Sequence, residues 1–297
     1  MPGTNALGSF LKARRALVRP EDAGLPAIGR RRVAGLRRDE LATLAGVSLA
    51  YLTRLEQGRD RNPSEQVLDA LGAALRLDAD LTAHLHALAR DASRPNGGPP
   101  RRPREQPAPG AGDLLDAWAG IPAYLRGRRF DVLAANAAAI ALAPMYRPGR
   151  TLVRDVFLDP GARALFPRWD AVAAGSVAAL RAVAGADLDD PALRELVEEL
   201  SAASDDFRRL WERHDVRPTR NETKEFAHPV AGRLVLRRHS LAVGGTDGQV
   251  VIAYQADPGT PSAAALAGLT APDHAAAIHV AEPRPPASHG PAASFAR

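Results

Sequence analysis

The sequence predicts a multidomain chain: an all-α five-helix domain, then an α+β domain in which one antiparallel sheet closes over a helical layer. Three observations carry this. Five segments between Leu7 and Leu88 repeat their apolar residues at helical spacing. A stretch at 93–112 is rich in Pro, Gly and Arg and has no periodicity, with six prolines in Arg94–Gly112, so it reads as an extended, mobile linker. Beyond it, strand-like runs sit near both ends of 113–269 and helical runs lie between them. The domains are therefore expected at 1–92 and 113–269. Residues 270–297 are Ala, Pro and His with scattered charge, and read as a disordered tail.

The first helix is Leu7–Val18, with Leu7, Phe10, Leu11 and Val18 facing inward and Lys12, Arg14 and Arg15 outward. Pro20 to Gly29 is a loop, and Arg30, Arg31 and Arg32 form a basic run suited to clamping phosphate. Arg38 to Ala45 carries Leu41, Ala42 and Ala45 at helical spacing. Gly46 can take the left-handed conformation that ends a helix, and Val47 plugs the turn. Ser48 is a good N-cap for a helix running to Gln57, stopped by Gly58. Ala42 is small where the two helices would cross. These are the spacing rules of a helix-turn-helix. Leu52 and Leu55 are committed to the core, so Leu49, Ala50, Tyr51 and Arg54 should face a DNA groove, with Ser48 and Thr53 nearer the backbone. Arg59 and Arg61 flank the motif. A helix over Glu65–Leu75 is capped by Ser64, and a fifth starts at Asp78 or Asp80 and runs through Leu88. His84 and His86 on it are two apart, point to different faces, and read as surface or packing residues.

The charge distribution agrees. Residues 1–62 hold 12 Lys+Arg against 6 Asp+Glu, a balance of +6, while the whole chain is +5, leaving −1 for 63–297. The positive excess sits with the helix-turn-helix, as a polyanion partner requires.

In the second domain, Leu114, Leu115, Ala117 and Trp118 suggest a short helix. Tyr124–Leu125 and Phe130–Leu133 read as a hairpin, and Asn136 to Leu142 as an alanine-rich helix. Helices follow at Leu152–Leu158, Pro160–Phe166, Trp169–Val183, Asp190–Ala203 and Asp205–His214. Then Lys224–His228, Arg233–Ala242 and Gln249–Gln255 read as three strands. Phe157, Leu158, Phe166, Trp169, Phe207, Leu210 and Trp211 fall in the helical layer. They either line an apolar pocket or fill a solid core.

The string Gly35–Ser64, GLRRDELATLAGVSLAYLTRLEQGRDRNPS, resembles the lambda-repressor-like, or Xre-type, helix-turn-helix regulators, and among them the MmyB-like subgroup. The resemblance implies that Arg38 opens the first motif helix and touches phosphate, and that the helix after Ser48 enters the major groove. Arg37 stands where a capping Ser or Thr is common. The strings at Gly127–Ala139, Val156–Asp170, Phe207–Val216 and His228–Gly232 resemble the MmyB-like ligand-binding domain, over roughly Leu114–Leu269. This implies a PAS-like fold and a small, fatty-acid-like apolar ligand among Phe157, Phe166, Trp169, Phe207 and Trp211. Ala135 stands where a tryptophan is common before the asparagine. Arg213, His214, Arg237 and His239 are the basic residues expected nearest the sheet–helix seam, where an acyl carboxylate would need a partner.

Other functions find little support. There is no cysteine, hence no thiol nucleophile, disulfide or Cys-ligated zinc. His214–Asp215 with Ser201, Ser204 and Ser240 offers no G-x-S-x-G elbow, and no glycine-rich phosphate loop occurs. His214, His228 and His239 lack metal-ligand spacing. No cofactor and no catalysis are expected. No apolar run suits a signal or a spanning helix, so the reading is a soluble, cytoplasmic protein without membrane insertion. The sequence reads as a regulator that binds double-stranded DNA as a homodimer and senses a small apolar ligand. The alternative is a constitutive DNA-binding regulator whose second domain mediates dimerisation or protein contact without a ligand.

Overall fold

The computed structural model describes residues 6–25, 33–93, 105–184, 190–217 and 221–269. In the first domain, helices α1 (Ala6–Leu17), α2 (Arg38–Leu44), α3 (Leu49–Glu56), α4 (Glu65–Ala74) and α5 (Ala79–Ala92) follow one another. Side chains set their starts. The Ser48 hydroxyl accepts from Tyr51 N at 3.1 Å, Ser64 from Val67 N at 3.4 Å, and Asp78 from Leu81 N at 2.9 Å. At α2, where Arg37 supplies no hydroxyl, the Glu40 carboxylate reaches back and accepts from Arg37 N at 2.6 Å. That is the reciprocal half of a capping box, and it offsets the weak start.

Leu41, Leu52 and Leu55 are fully buried with Phe10 and Leu11 of α1 and Leu71 of α4. Each such leucine contributes about 1.5–3 kcal/mol relative to exposure. Two glycines are required by geometry. Gly46 has φ +65°, and lets Val47 N donate to Ala42 O at 3.0 Å across the turn. Gly35 lies against the end of α1, where an added Cβ would stand 2.6 Å from Arg15 O. At the centre, fully buried Glu56 accepts from Arg15 Nε at 2.8 Å and Arg38 Nε at 2.7 Å, locking α1, α2 and α3 together.

The second domain runs α6 (Ala111–Asp116), β1 (Ala123–Arg126), β2 (Val132–Ala135), α7 (Ala137–Leu142), α8 (Leu152–Leu158), α9 (Pro160–Leu165), α10 (Trp169–Ala184), α11 (Pro191–Ala203), α12 (Asp205–Glu212), β3 (Glu222–His228), β4 (Gly232–Ala242), β5 (Val250–Gln255) and α13 (Pro261–Leu269). The five strands form one open antiparallel sheet in the order β2-β1-β5-β4-β3. The early hairpin thus joins the late strands through β1 and β5, the PAS-like arrangement of a sheet with flanking helices. Alternation assigns the faces. Tyr124, Phe226, Leu234, Leu236, Ile252 and Tyr254 meet the main helical layer, while Leu125, Val251 and Ala253 pack under Leu115 of α6.

Asn136 fixes the hairpin to that underside. It is 2% exposed. Its side-chain oxygen accepts from Ala123 N and Ala139 N, and its amide donates to the carbonyls of Leu115, Trp118 and Ile121.

Two features differ from the sequence reading. The end of the expected linker is part of the second domain. Gln249 accepts from Ala108 N at 2.9 Å and donates to Gln106 O at 2.7 Å, and α6 begins at Ala111. The prolines there mark a chain laid along the domain rather than a free spacer. The second feature is α13, which the sequence left unassigned. Its Ala-rich run has almost no amphipathic contrast, yet it buries Leu266 and Leu269, and Ser262 Oγ accepts from Val235 N at 3.0 Å. Linker residues 94–104 and the tail 270–297 lie outside the described residues.

Candidate nucleic-acid interface and its link to the second domain

Helix α3 presents its outer face as its periodicity requires. Leu52 and Leu55 are fully buried, while Leu49, Ala50 and Arg54 are exposed. Leu49 is 49% exposed, a large apolar side chain at the front of the helix, of the kind that contacts thymine methyl groups. Tyr51 is half-buried, with the Arg54 guanidinium 5.8 Å from its ring centre. Burial, then Asp60, raises the Tyr51 phenol above its usual range, so it stays protonated and able to donate. Ser48 and Thr53 serve the helix itself: Ser48 caps it, and Thr53 Oγ1 donates to Leu49 O at 2.7 Å.

The basic residues divide. Arg54 and Arg59 are exposed, and Arg61 Nε donates to Gly58 O at 3.3 Å. Arg38 gives its Nε to buried Glu56, yet its side chain is 40% exposed, so the outer guanidinium nitrogens still face solvent. Arg30, Arg31 and Arg32 lie outside the described residues.

The five aromatics of the helical layer separate into two groups. Phe157 packs edge-on to Trp169 at 5.8 Å and to Phe207 at 5.2 Å, and Phe207 stacks on Trp211 at 5.7 Å. The Trp169 indole donates to Val156 O at 2.9 Å. Phe166 lies apart, against Phe226 of the sheet at 5.3 Å. A recess of about 230 Å³ opens beside the first group, between Trp169, Asp170 and Ala173 of α10 and Arg209, Leu210 and Arg213 at the end of α12. That is below the roughly 300 Å³ at which small-molecule sites usually begin.

Of the four basic residues expected at the sheet–helix seam, Arg213 lines the recess and the other three lie elsewhere. His239 and Arg237 lie on the other face of β4, where His239 meets Gln255 and Arg237 pairs with Asp257. Arg213 bonds Asp215 at 2.9 Å. His214 turns away from the aromatics toward the first domain, at φ +53°. The two-residue period of a strand decides this for residues 237 and 239, and the end of α12 decides it for 213 and 214.

The structure brings together a set of residues that the sequence reading did not assemble. Just beyond α12, Val216 is buried in the core cluster of the first domain, with Ala182 of α10 packed against it. His214 lies edge-on to Phe10 of α1 at 6.3 Å, and His84 of α5 meets the same ring at 5.3 Å. Arg14 of α1 bonds Asp215 at 2.8 Å. Behind them, Arg181 of α10 is 3% exposed, stands 3.8 Å over the Trp211 ring, bonds the Trp211 carbonyl, and lies 3.1 Å from His214 Nδ1. Burial, then neighbouring Arg181, pushes His84 down to about 4 and His214 down to about 3, so both are neutral at pH 7. His84 is thus a buried seam residue, while His86 meets Asp69 at 2.9 Å on the surface. Nothing in the sequence around His84 and His214 signals contact between domains.

Among the described residues, no cluster of three or more His, Asp or Glu could hold a metal, and no helix is long and apolar enough to cross a membrane. A family model described as a helix-turn-helix domain matches residues 6–85. Another, described as the MmyB-like transcription regulator ligand binding domain, matches 107–269, more than half of the chain. No curated protein matches it.

Proposed function

Because the chain belongs to the MmyB-like transcription regulators, we propose that it reads a specific operator as a homodimer and senses a small apolar, fatty-acid-like ligand. The seam carries this reading. The residues that follow α12 belong to the core of the helix-turn-helix domain, so a shift of α12 against α10 moves the platform that orients α3. The recess and the aromatic stack both involve α10 and α12, which supports the same two helices as the place where a ligand acts. A ligand that binds two seam geometries with different affinity changes DNA affinity by the same factor. Leu49, Ala50, Tyr51 and Arg54 are the readout set, and Arg30–Arg32, Arg38, Arg59 and Arg61 supply phosphate contacts. A helix-turn-helix covers half a site, so two copies take half-sites about one DNA turn apart.

The aromatics favour a second reading at one point. Phe157, Trp169, Phe207 and Trp211 already fill the helical layer by touching one another, as in a domain with no ligand. Operator affinity measured with full-length protein, with and without fatty acids of graded chain length, separates the two. A chain-length-dependent change in affinity supports the sensor. Constant affinity, with no ligand retained in native mass spectrometry, leaves a constitutive regulator.

A further inference from the structure

The face of the sheet that meets the helices is not wholly apolar. On three successive rungs, the register sets Arg126 beside Val250, Tyr124 with Ile252 and Ser240, and Tyr254 with Arg238 and Glu222. Lys224 lies on the next rung of β3, opposite Leu236. The hydroxyls of Tyr146 and Tyr254 bond at 3.1 Å, and the Tyr124 and Tyr146 rings stack at 4.5 Å.

Arg126 is 4% exposed, its guanidinium 4.0 Å from the centre of the Phe130 ring. Its Nε and Nη1 have no hydrogen-bond partner, and neither does the buried Ser240 Oγ two strands away. Desolvation pushes Arg126 down to about 10 and Lys224 to about 8, the mark of cations held away from water. Buried charges in proteins are normally paired, and buried hydroxyls bonded.

The facing carboxylates do not balance this set. Glu222 lies 3.2 Å from Arg238 and 3.7 Å from Lys224. Glu105 acts on Arg126 through space while accepting from Arg128 N at 2.9 Å. Three cations against two carboxylates leave one positive charge.

We propose that Arg126, with Ser240 and the tyrosine hydroxyls, binds the carboxylate of a small monocarboxylic acid on the inner face of the sheet. A guanidinium offers a carboxylate two parallel N–H donors, Nε with Nη2 or Nη1 with Nη2, so each of the two unpartnered nitrogens belongs to one such pair. A single excess charge suits a monocarboxylate better than a phosphate dianion. Phe130, Phe166 and Phe226 are the apolar rings nearest the cluster, and an apolar body would have to pack against them. This rests on the second domain being a ligand sensor, and it moves the acid group from the residues near α12 to β1.

The test is calorimetry and thermal melting of the full-length protein at constant ionic strength, with butyrate, decanoate, decanol and inorganic phosphate as probes. Decanoate is expected to bind about tenfold or more tighter than decanol. Arg126→Met should erase that difference through decanoate alone, and Arg126→Lys should restore part of it. Ligand-free Arg126→Met should melt no lower than the native chain, since it removes a buried charge that no hydrogen bond holds. Equal binding of decanoate and decanol, phosphate displacing decanoate at matching affinity, unchanged decanoate binding by Arg126→Met, or no response to any probe would each overturn the carboxylate site. An Arg126-dependent response to butyrate, with none to decanoate or decanol, would keep the site and remove the apolar sensor. Binding of decanol alone would do the reverse.

Discussion

The most deeply buried charges of the two domains are treated in opposite ways. In the first, Glu56 is wholly buried but receives two arginines, Arg15 and Arg38, and the starts of α2, α3, α4 and α5 each carry a side-chain hydrogen bond. In the second, Arg126 and Arg181 are equally buried, and each has a guanidinium nitrogen with nothing to donate to. A neutralised charge in a small bundle locks helices into one arrangement. An un-neutralised charge leaves a site whose best state depends on what joins it, or on how a neighbouring surface sits. The first domain's most buried charge is therefore fixed by its own helices, and the second domain's are not.

Glu56→Ala is the sharpest way to break this contrast. Loss of a buried acid that serves two arginines should cost about 3–5 kcal/mol, at the lower end because Arg38 reaches solvent. Thermal denaturation reports it. Charge removal in the second domain, by Arg126→Met, should cost nothing comparable. Equal losses from both variants would dissolve the comparison.

Acid should act at the seam next. His84 and His214 are held neutral, with folded values near 4 and 3 against an ordinary 6.5. Each unfolded histidine takes up a proton below about 6.5, and the folded one does not until far lower. Their contribution is therefore fully present above pH 6.5 and is lost as pH falls from there toward 4. The groups facing them are Arg181 from α10, Arg14 from α1 and Asp215. Arg181 opposes the new charge on both, His84 and Arg14 oppose it on His214, and Asp215 is paired with Arg14. One pH unit below 6.5, the loss should be about 1–3 kcal/mol for the pair. Melting of a His84→Asn, His214→Asn double variant should be flatter over that window. An identical pH profile would place the acid sensitivity elsewhere.

How legible each domain was follows from the same physics. The first domain's helices, caps and recognition face were readable because local spacing determines them: Leu52 and Leu55 inward leave Arg54 outward. The sheet's strands were readable too, but their order was not, since β1 meets β5 through partners more than a hundred residues apart. Residue placement failed where one position of register matters. Arg237 and Arg238 are neighbours in sequence and lie on opposite faces, and the unbroken apolar run Leu234–Leu236 ahead of them does not say which face is inner. The seam was invisible because Val216 looks like any apolar residue after a helix, and only docking shows whose core it enters.

On the reader side, Arg54→Ala should cost about 1–3 kcal/mol on the chosen operator and relax preference at one base pair, if its guanidinium meets a guanine. Leu49→Ala should cost less and act at a thymine. Binding to operator variants checks both. Neither change should alter the response to ligand, because α3's outer face lies away from the seam. A lost ligand response would tie that face to the seam.

The smallest stability effect is expected from the Arg14–Asp215 pair, and it tests the link between the domains most directly. The two side chains are 15% and 38% exposed, so water screens them and the pair should be worth about 1 kcal/mol or less. Asp215 also holds Arg213, at the mouth of the recess beside α12. Arg14→Ala cuts only the contact to the first domain and leaves the Arg213 contact in place. If the seam transmits ligand binding to DNA, this variant should keep its operator affinity without ligand and its ligand affinity without DNA. It should lose part of the coupling between them, measured as the change in operator affinity on saturation with ligand. In the double cycle with Asp215→Asn the part carried by the Arg14 contact should be lost only once, and any further loss reports the Arg213 contact that Asp215→Asn alone removes. Full coupling in Arg14→Ala would shift transmission onto Val216 and the aromatic edge contacts of Phe10. Testing that would take Val216→Ala, which opens a cavity in the first domain's core and should cost more stability than the ion pair.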